Sequence, residues 1–163
     1  MKIIITLIVL LIISFGCTTS QTTTSEDFVN LQNQYNVKEV FDPDLGVMNS
    51  YITDLSLIRA QTVMPLSKIV DVELYSAQSF YYLSKAFKEA SGIDYSGVLC
   101  NSQEYKNTLK YLKLSKNMSQ KANAELVLVL PTDSHLLKEN QSQIINGFYV
   151  SADEYNMALE ELC

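Results

Sequence analysis

The residues of this chain that could do chemistry are few and mostly isolated. His135 is the only histidine among 163 residues, so a multi-histidine metal site is excluded. Asp133-Ser134-His135 supplies the residue types of a hydrolytic triad. Three consecutive residues cannot take up the geometry of nucleophile, base and orienting acid, and no G-x-S-x-G elbow accompanies them. His135 with Met48, Met64, Met118 or Met157 offers a histidine–methionine axial pair for a haem between helices. The C-x-x-C-H attachment motif is missing, so that haem would not be covalently held. Asp42/Asp44 and Asp153/Glu154 are carboxylate pairs in positions that helix caps explain. There is no Gly-rich phosphate loop and no C-x-x-C. The chain is therefore expected not to be an enzyme, and to carry no catalytic residue, metal ligand or cofactor.

The cysteines carry what chemistry remains. Lys2 is the only charge before an unbroken apolar run from Ile3 to Ile13, and Ser14-Phe15-Gly16 leads into Cys17. A positive head, an apolar core and a small residue before a cut site make an export signal. The run is shorter than the ~20 residues of a transmembrane helix. Gly16-Cys17 resembles the end of a lipobox, the cleavage site of prokaryotic lipoprotein precursors, with Ser14 where such boxes usually hold Leu, Val or Ile. The resemblance covers these residues alone. It implies that residues 1–16 are removed as a signal peptide and that Cys17 becomes a diacylglycerol-modified N-terminus. The protein would then be lipid-anchored on the extracytoplasmic side of the cell membrane. Buried acyl chains contribute ~0.8 kcal/mol per methylene, enough for a stable anchor when two or three chains are attached. With Cys17 so assigned, Cys100 and Cys163 remain as a pair in an oxidising compartment. An internal disulfide between them would close a loop worth ~4 kcal/mol in the chain-entropy account. Two free thiols or intermolecular bridges are the alternatives.

The elements that position these residues read as helices. Residues 18–25 contain no apolar side chain, and residues 30–36 are polar with Leu31 and Tyr35 as the exceptions. Residues 17–36 are thus expected to be the lipidated cysteine and a flexible spacer, and residues 37–163 a single domain. The domain has no tryptophan, few glycines and many helix formers. Asp42-Pro43 opens a helix bearing Leu45, Met48, Ile52 and Leu55, which ends near Val63 before Pro65. A second helix starts at about Ser67, with Ile69, Val72, Ser76, Phe80, Leu83, Phe87 and Ala90 in near-heptad spacing, and stops at Ser91-Gly92. Asn101 or Ser102 caps a third, with Tyr105, Leu109, Leu112, Leu114, Met118 and Ala122 inside. Residues 125–130 are read as helix rather than buried strand, and Pro131 ends them. A helix over about 132–145, a turn at Asn146-Gly147 and a last helix capped by Ser151-Ala152-Asp153-Glu154 follow, with Tyr155, Leu159 and Leu162 inside. The expected fold is all-α, an antiparallel bundle of four to five helices. If the third and last helices are antiparallel neighbours, Cys100 and Cys163 meet at one end.

The surface carries a formal net charge of −6, which opposes binding to nucleic acid. Lys106, Lys110, Lys113, Lys116 and Lys121 load the third helix, and Asp153, Glu154, Glu160 and Glu161 the last. They read as solvated faces with interhelical pairing, or alternatively as a strip for an anionic envelope polymer or headgroup. Among ten tyrosines, Tyr81, Tyr82 and Tyr95 offer a candidate partner surface. Asn117 and Asn140 stand in N-x-S sequons. The function expected is a membrane-anchored cell-surface lipoprotein presenting a helical interaction or envelope-structural module to an unknown protein or polymer. A small-ligand binder, haem included, is the alternative.

Overall fold

The computed structural model describes residues 23–37, 40–93 and 100–163. The expected signal peptide, Cys17 and Tyr95 lie outside them. The fold is the expected all-α bundle. Among the described residues five α-helices run α1 (Ser25–Gln34), α2 (Leu45–Gln61), α3 (Leu66–Ala90), α4 (Gln103–Leu126) and α5 (Gln141–Glu161), with a 3₁₀ turn at Ser134–Leu136. Pairings along the chain set their directions. Thr23 N–H donates to the Gln61 carbonyl at 3.4 Å, so α1 starts where α2 ends. Arg59 pairs with Asp71 near the α2–α3 joint, and Lys68 at the start of α3 pairs with Glu125 at the end of α4, 2.6 Å apart. Successive helices are therefore antiparallel.

Cys100 and Cys163 are disulfide-bonded, with Cα atoms 5.6 Å apart. The start of α4 and the end of α5 meet there, and Tyr105 in the first turn of α4 donates to the Leu159 carbonyl at 3.3 Å. The antiparallel geometry required by the pairing is the one adopted.

Two heptad seams explain why α3 and α4 lie side by side. Ile69, Val72, Ser76, Ser79, Leu83, Ala86 and Ala90 are buried on α3, and Tyr105, Thr108, Leu112, Ser115, Ser119 and Ala122 on α4. Both lists step by three and four residues, the spacing that keeps one stripe facing a neighbour. The middle of each stripe is serine. Ser79 Oγ donates to the Ser115 carbonyl and Ser115 Oγ to the Ser79 carbonyl, both at 3.0 Å, and Ser79 Oγ lies 2.7 Å from Ser119 Oγ. Small side chains let the backbones approach, and reciprocal bonding satisfies hydroxyls that burial would otherwise penalise by about 1–3 kcal/mol each. This corrects the expected inner faces. Leu109, Leu114 and Met118 are only partly buried and Phe87 is exposed, because the seam selects small residues over large ones.

Other boundaries also differ. The expected spacer folds in its second half as α1, where Thr24 and Asp27 form a capping box and Phe28 and Leu31 enter the core. Asp44, not Asp42, caps α2. Its Oδ1 accepts from Gly46 N–H at 2.7 Å and Val47 N–H at 3.0 Å, while Asp42 accepts from Asp44 N–H across Pro43. Helix α4 stops at Leu126, so the helix expected over 125–130 ends before 127–130: Leu128 and Val129 turn back onto Glu125 and Leu126 carbonyls, and Val129 packs against the core. The helix expected over 132–145 is only the Ser134–Leu136 turn until α5 begins at Gln141. Asn146-Gly147 is no turn and Ser151-Ala152-Asp153-Glu154 no cap, since α5 runs straight through both. Burial of Ile145, Ala152 and Leu159 along one helical stripe outweighs the ~1 kcal/mol that glycine costs a helix. Leu162, expected inside, lies past the helix and is 67% exposed.

Candidate functional site

One buried polar cluster stands out from this core. The α3 segment Ile69-Val70-Asp71-Val72-Glu73-Leu74 is buried throughout, and it places Glu73 in the interior. The connection after the 3₁₀ turn packs Leu136 and Leu137 against the core and turns the next side chain, Lys138, inward to meet Glu73. Side-chain exposure of the two is 1% for Lys138 and 0% for Glu73. Tyr51, fully buried on α2, donates its hydroxyl to the same Glu73 oxygen at 2.8 Å. Glu73 Oε2 has no partner among the described residues. Burial, with the charge of Glu73 beside it, pushes the Tyr51 hydroxyl well above its ordinary value of 10.0, so it remains a neutral donor.

The Lys138 ammonium lies 4.1 Å from the centre of the Phe41 ring. Phe41, Phe80 and Phe148 form a triangle with ring centres 5.5–6.0 Å apart. With Val40, Ile144 and Lys138 they line a cavity of about 230 Å³. An ammonium has three N–H donors. Among the described residues Glu73 is the hydrogen-bond acceptor of Lys138, and an aromatic face takes the other side of the charge. The site is thus a small apolar pocket with one cationic donor in its wall. It suits a compact apolar molecule ending in a carbonyl or carboxylate. A cavity of this size falls below the roughly 300–1,000 Å³ of pockets that enclose drug-sized ligands, and a tetrapyrrole is larger still.

The residues proposed for chemistry from sequence are not gathered here. His135 is exposed, its Nδ1 2.9 Å from the Thr132 carbonyl, and Ser134 Oγ donates to the Pro131 carbonyl at 2.8 Å. Met48 is buried in the core while Met64 and Met157 are exposed, and none of them lines the cavity. The haem reading gains no support from this pocket.

The lysine strip of α4 divides. Lys116 pairs with Asp153 on α5, and Lys113 lies 3.9 Å from Glu160. The neighbouring Asp153 carboxylate raises the Lys116 pKa above 10.5. Lys106, Lys110 and Lys113 rim an open hollow with Leu109, Leu114 and Asn117. Tyr82 stacks on Tyr111 at 6.3 Å, and the Lys85 ammonium sits 5.1 Å from the Tyr81 ring and 4.9 Å from the Tyr111 ring. These rings join α3 to α4 along their outer edge. Asn117 and Asn140 are both exposed, and Asn140 adopts a left-handed backbone (φ 59°) just before α5.

Sequence reasoning missed Tyr51, Glu73 and Lys138. A signal was present, since Glu73 is a carboxylate inside an apolar run long enough to be buried on every side, and buried carboxylates are rare unless paired. Its partner, 65 residues away, leaves no local trace. Comparison of the chain with protein-family models, curated proteins and solved structures returned no match.

Proposed function

We propose that the protein is a lipid-anchored, extracytoplasmic lipoprotein that presents its helical bundle as an interaction or envelope-structural module. The observation that carries this reading is the order of one lysine, an apolar run, Gly16 and Cys17 directly ahead of the folded chain. The Cys100–Cys163 disulfide supports it, because such bonds persist in compartments outside the reducing cytoplasm. The test is metabolic labelling with a radioactive fatty acid. The natural chain is expected to take up label and fractionate with membranes, and Cys17→Ala to lose the label. Equal labelling of both chains, or of neither, rejects the anchor.

The Phe41–Phe80–Phe148 pocket favours a second reading, in which the bundle holds a small apolar ligand with an acceptor group against Lys138. Titration calorimetry with hexanoate and with hexan-1-ol separates a requirement for a charged acceptor from binding of any apolar chain with a neutral hydroxyl. Hexanoate is expected to bind more tightly, with Phe148→Ala abolishing the heat. No heat with either probe rejects the reading.

A further inference from the structure

One end of the bundle gathers three features. The folded chain enters there, since Thr23 N–H bonds to the Gln61 carbonyl and Thr23 Oγ1 to Gln61 Oε1 at 3.2 Å. The α2–α3 joint follows two residues later, with Val63 and Met64 exposed to 64% and 63%. The stretch after α4 exposes Val127, Leu128 and Leu130, Val127 to 81%. The Lys68–Glu125 pair locks the first turn of α3 to the last turn of α4, so the two apolar joints sit side by side. Of the cations near this end, Arg59 pairs with Asp71, Lys68 with Glu125 and Lys138 with Glu73, while Lys121, one turn before Glu125, lies 5.6 Å from the Tyr75 ring. Large apolar side chains on two adjoining loops, with most nearby cations tied up in ion pairs, suit insertion among lipids more than attraction to anionic headgroups.

The length of the tether decides what covers this end. Thr23 follows Cys17 by six residues, which fully extended span at most ~20 Å. The 24 residues of α4 span ~36 Å, so the disulfide end lies farther from the entry point than the tether can reach. We infer that Val63, Met64, Val127, Leu128 and Leu130 form a second membrane contact, seated in the outer surface of the bilayer to which Cys17 is anchored. This inference rests on the lipid-anchor reading for its tether. It makes the bundle stand on its entry end, with the Cys100–Cys163 bridge pointing away from the membrane.

The chain has no tryptophan, so a single introduced one reports its surroundings without background. The full-length precursor would be expressed with Val127→Trp or, as the distal control, Leu162→Trp, and the protein the cell delivers reconstituted into phosphatidylcholine vesicles with brominated acyl chains. Brominated lipid is expected to quench Val127→Trp at least threefold more than Leu162→Trp, with blue-shifted emission and no dependence on salt. Equal quenching, or quenching lost because Val127→Trp is buried in a dimer seen by crosslinking, overturns the contact. Mass analysis of the same sample keeps the two readings apart. An acylated Cys17 with equal quenching leaves the anchor and removes the contact, whereas selective quenching without acylation leaves the contact and removes the anchor.

Discussion

The two ends of the bundle are closed by different means. At one end the start of α4 and the end of α5 are joined covalently through Cys100 and Cys163. At the other, the connection from α4 to α5 is tied down by Lys138, which reaches Glu73 on α3 and, through it, Tyr51 on α2. The covalent end is insensitive to charge and sensitive to reductant, and the ionic end is the reverse. The ionic closure also borders a pocket, because Lys138 lines it together with Phe41, Phe80 and Phe148. A bridge of sulfur would have fixed the same loop without creating any site.

The comparison can be broken first at the ionic end. Lys138→Met leaves Glu73 buried without its cation and is expected to destabilise the bundle by about 3–5 kcal/mol, whereas Glu73→Leu with Lys138→Met together should restore most of that loss. Urea unfolding of the single and double variants checks it, and equal stability of the two would show that the pair is not the closure. Replacing Cys100 and Cys163 together with serine is expected to cost ~4 kcal/mol, as is adding reductant to the natural chain. Because the ends are far apart, the cost should add to that of Lys138→Met within about 0.5 kcal/mol, and stronger coupling would mean that the two closures are one.

A pH series sharpens the contrast. The Tyr51 hydroxyl is held above its ordinary value in the folded protein, so its contribution is complete below pH 10.0 and is lost as pH rises from there towards the folded value. Stability measured between about pH 8 and 11 should therefore decline, and Tyr51→Phe should remove part of that decline. An identical slope in Tyr51→Phe would detach the hydroxyl from the closure. The smallest expected effect is at Gly147, in the exposed middle of α5, where an added Cβ meets nothing within 4 Å. Gly147→Ala should stabilise by ~0.5–1 kcal/mol. Destabilisation instead would mean that Asn146-Gly147 forms the turn its sequence suggests, and that α5 does not carry Leu159 unbroken to the disulfide end.

What could be read in advance follows the range of the signals. Helix α3, the Ser102 cap of α4 and the meeting of Cys100 with Cys163 rest on local periodicity, capping chemistry and topology, and these are legible in the chain. Helix α1 was legible too, in the T-x-x-D box of Thr24 and Asp27 with Phe28 and Leu31 behind it, but polar composition masked it. The serine seam escapes a rule that puts only apolar residues inside, although its three-and-four spacing is present on both helices. Residues 127–154 mislead because local turn and cap signals at Asn146-Gly147 and Ser151 lose to long-range burial. The pocket is the least legible feature, as it joins Phe41, Phe80, Lys138 and Phe148 from four separate segments.

The most direct test of a lipid-anchored, disulfide-closed bundle is the intact mass of the protein purified from membranes, measured with and without reductant. The expected species begins at Cys17, carries added acyl mass, and gains the mass of two hydrogens on reduction. A chain that begins elsewhere without acyl mass, or that gains nothing on reduction, would contradict the anchor or the bridge respectively.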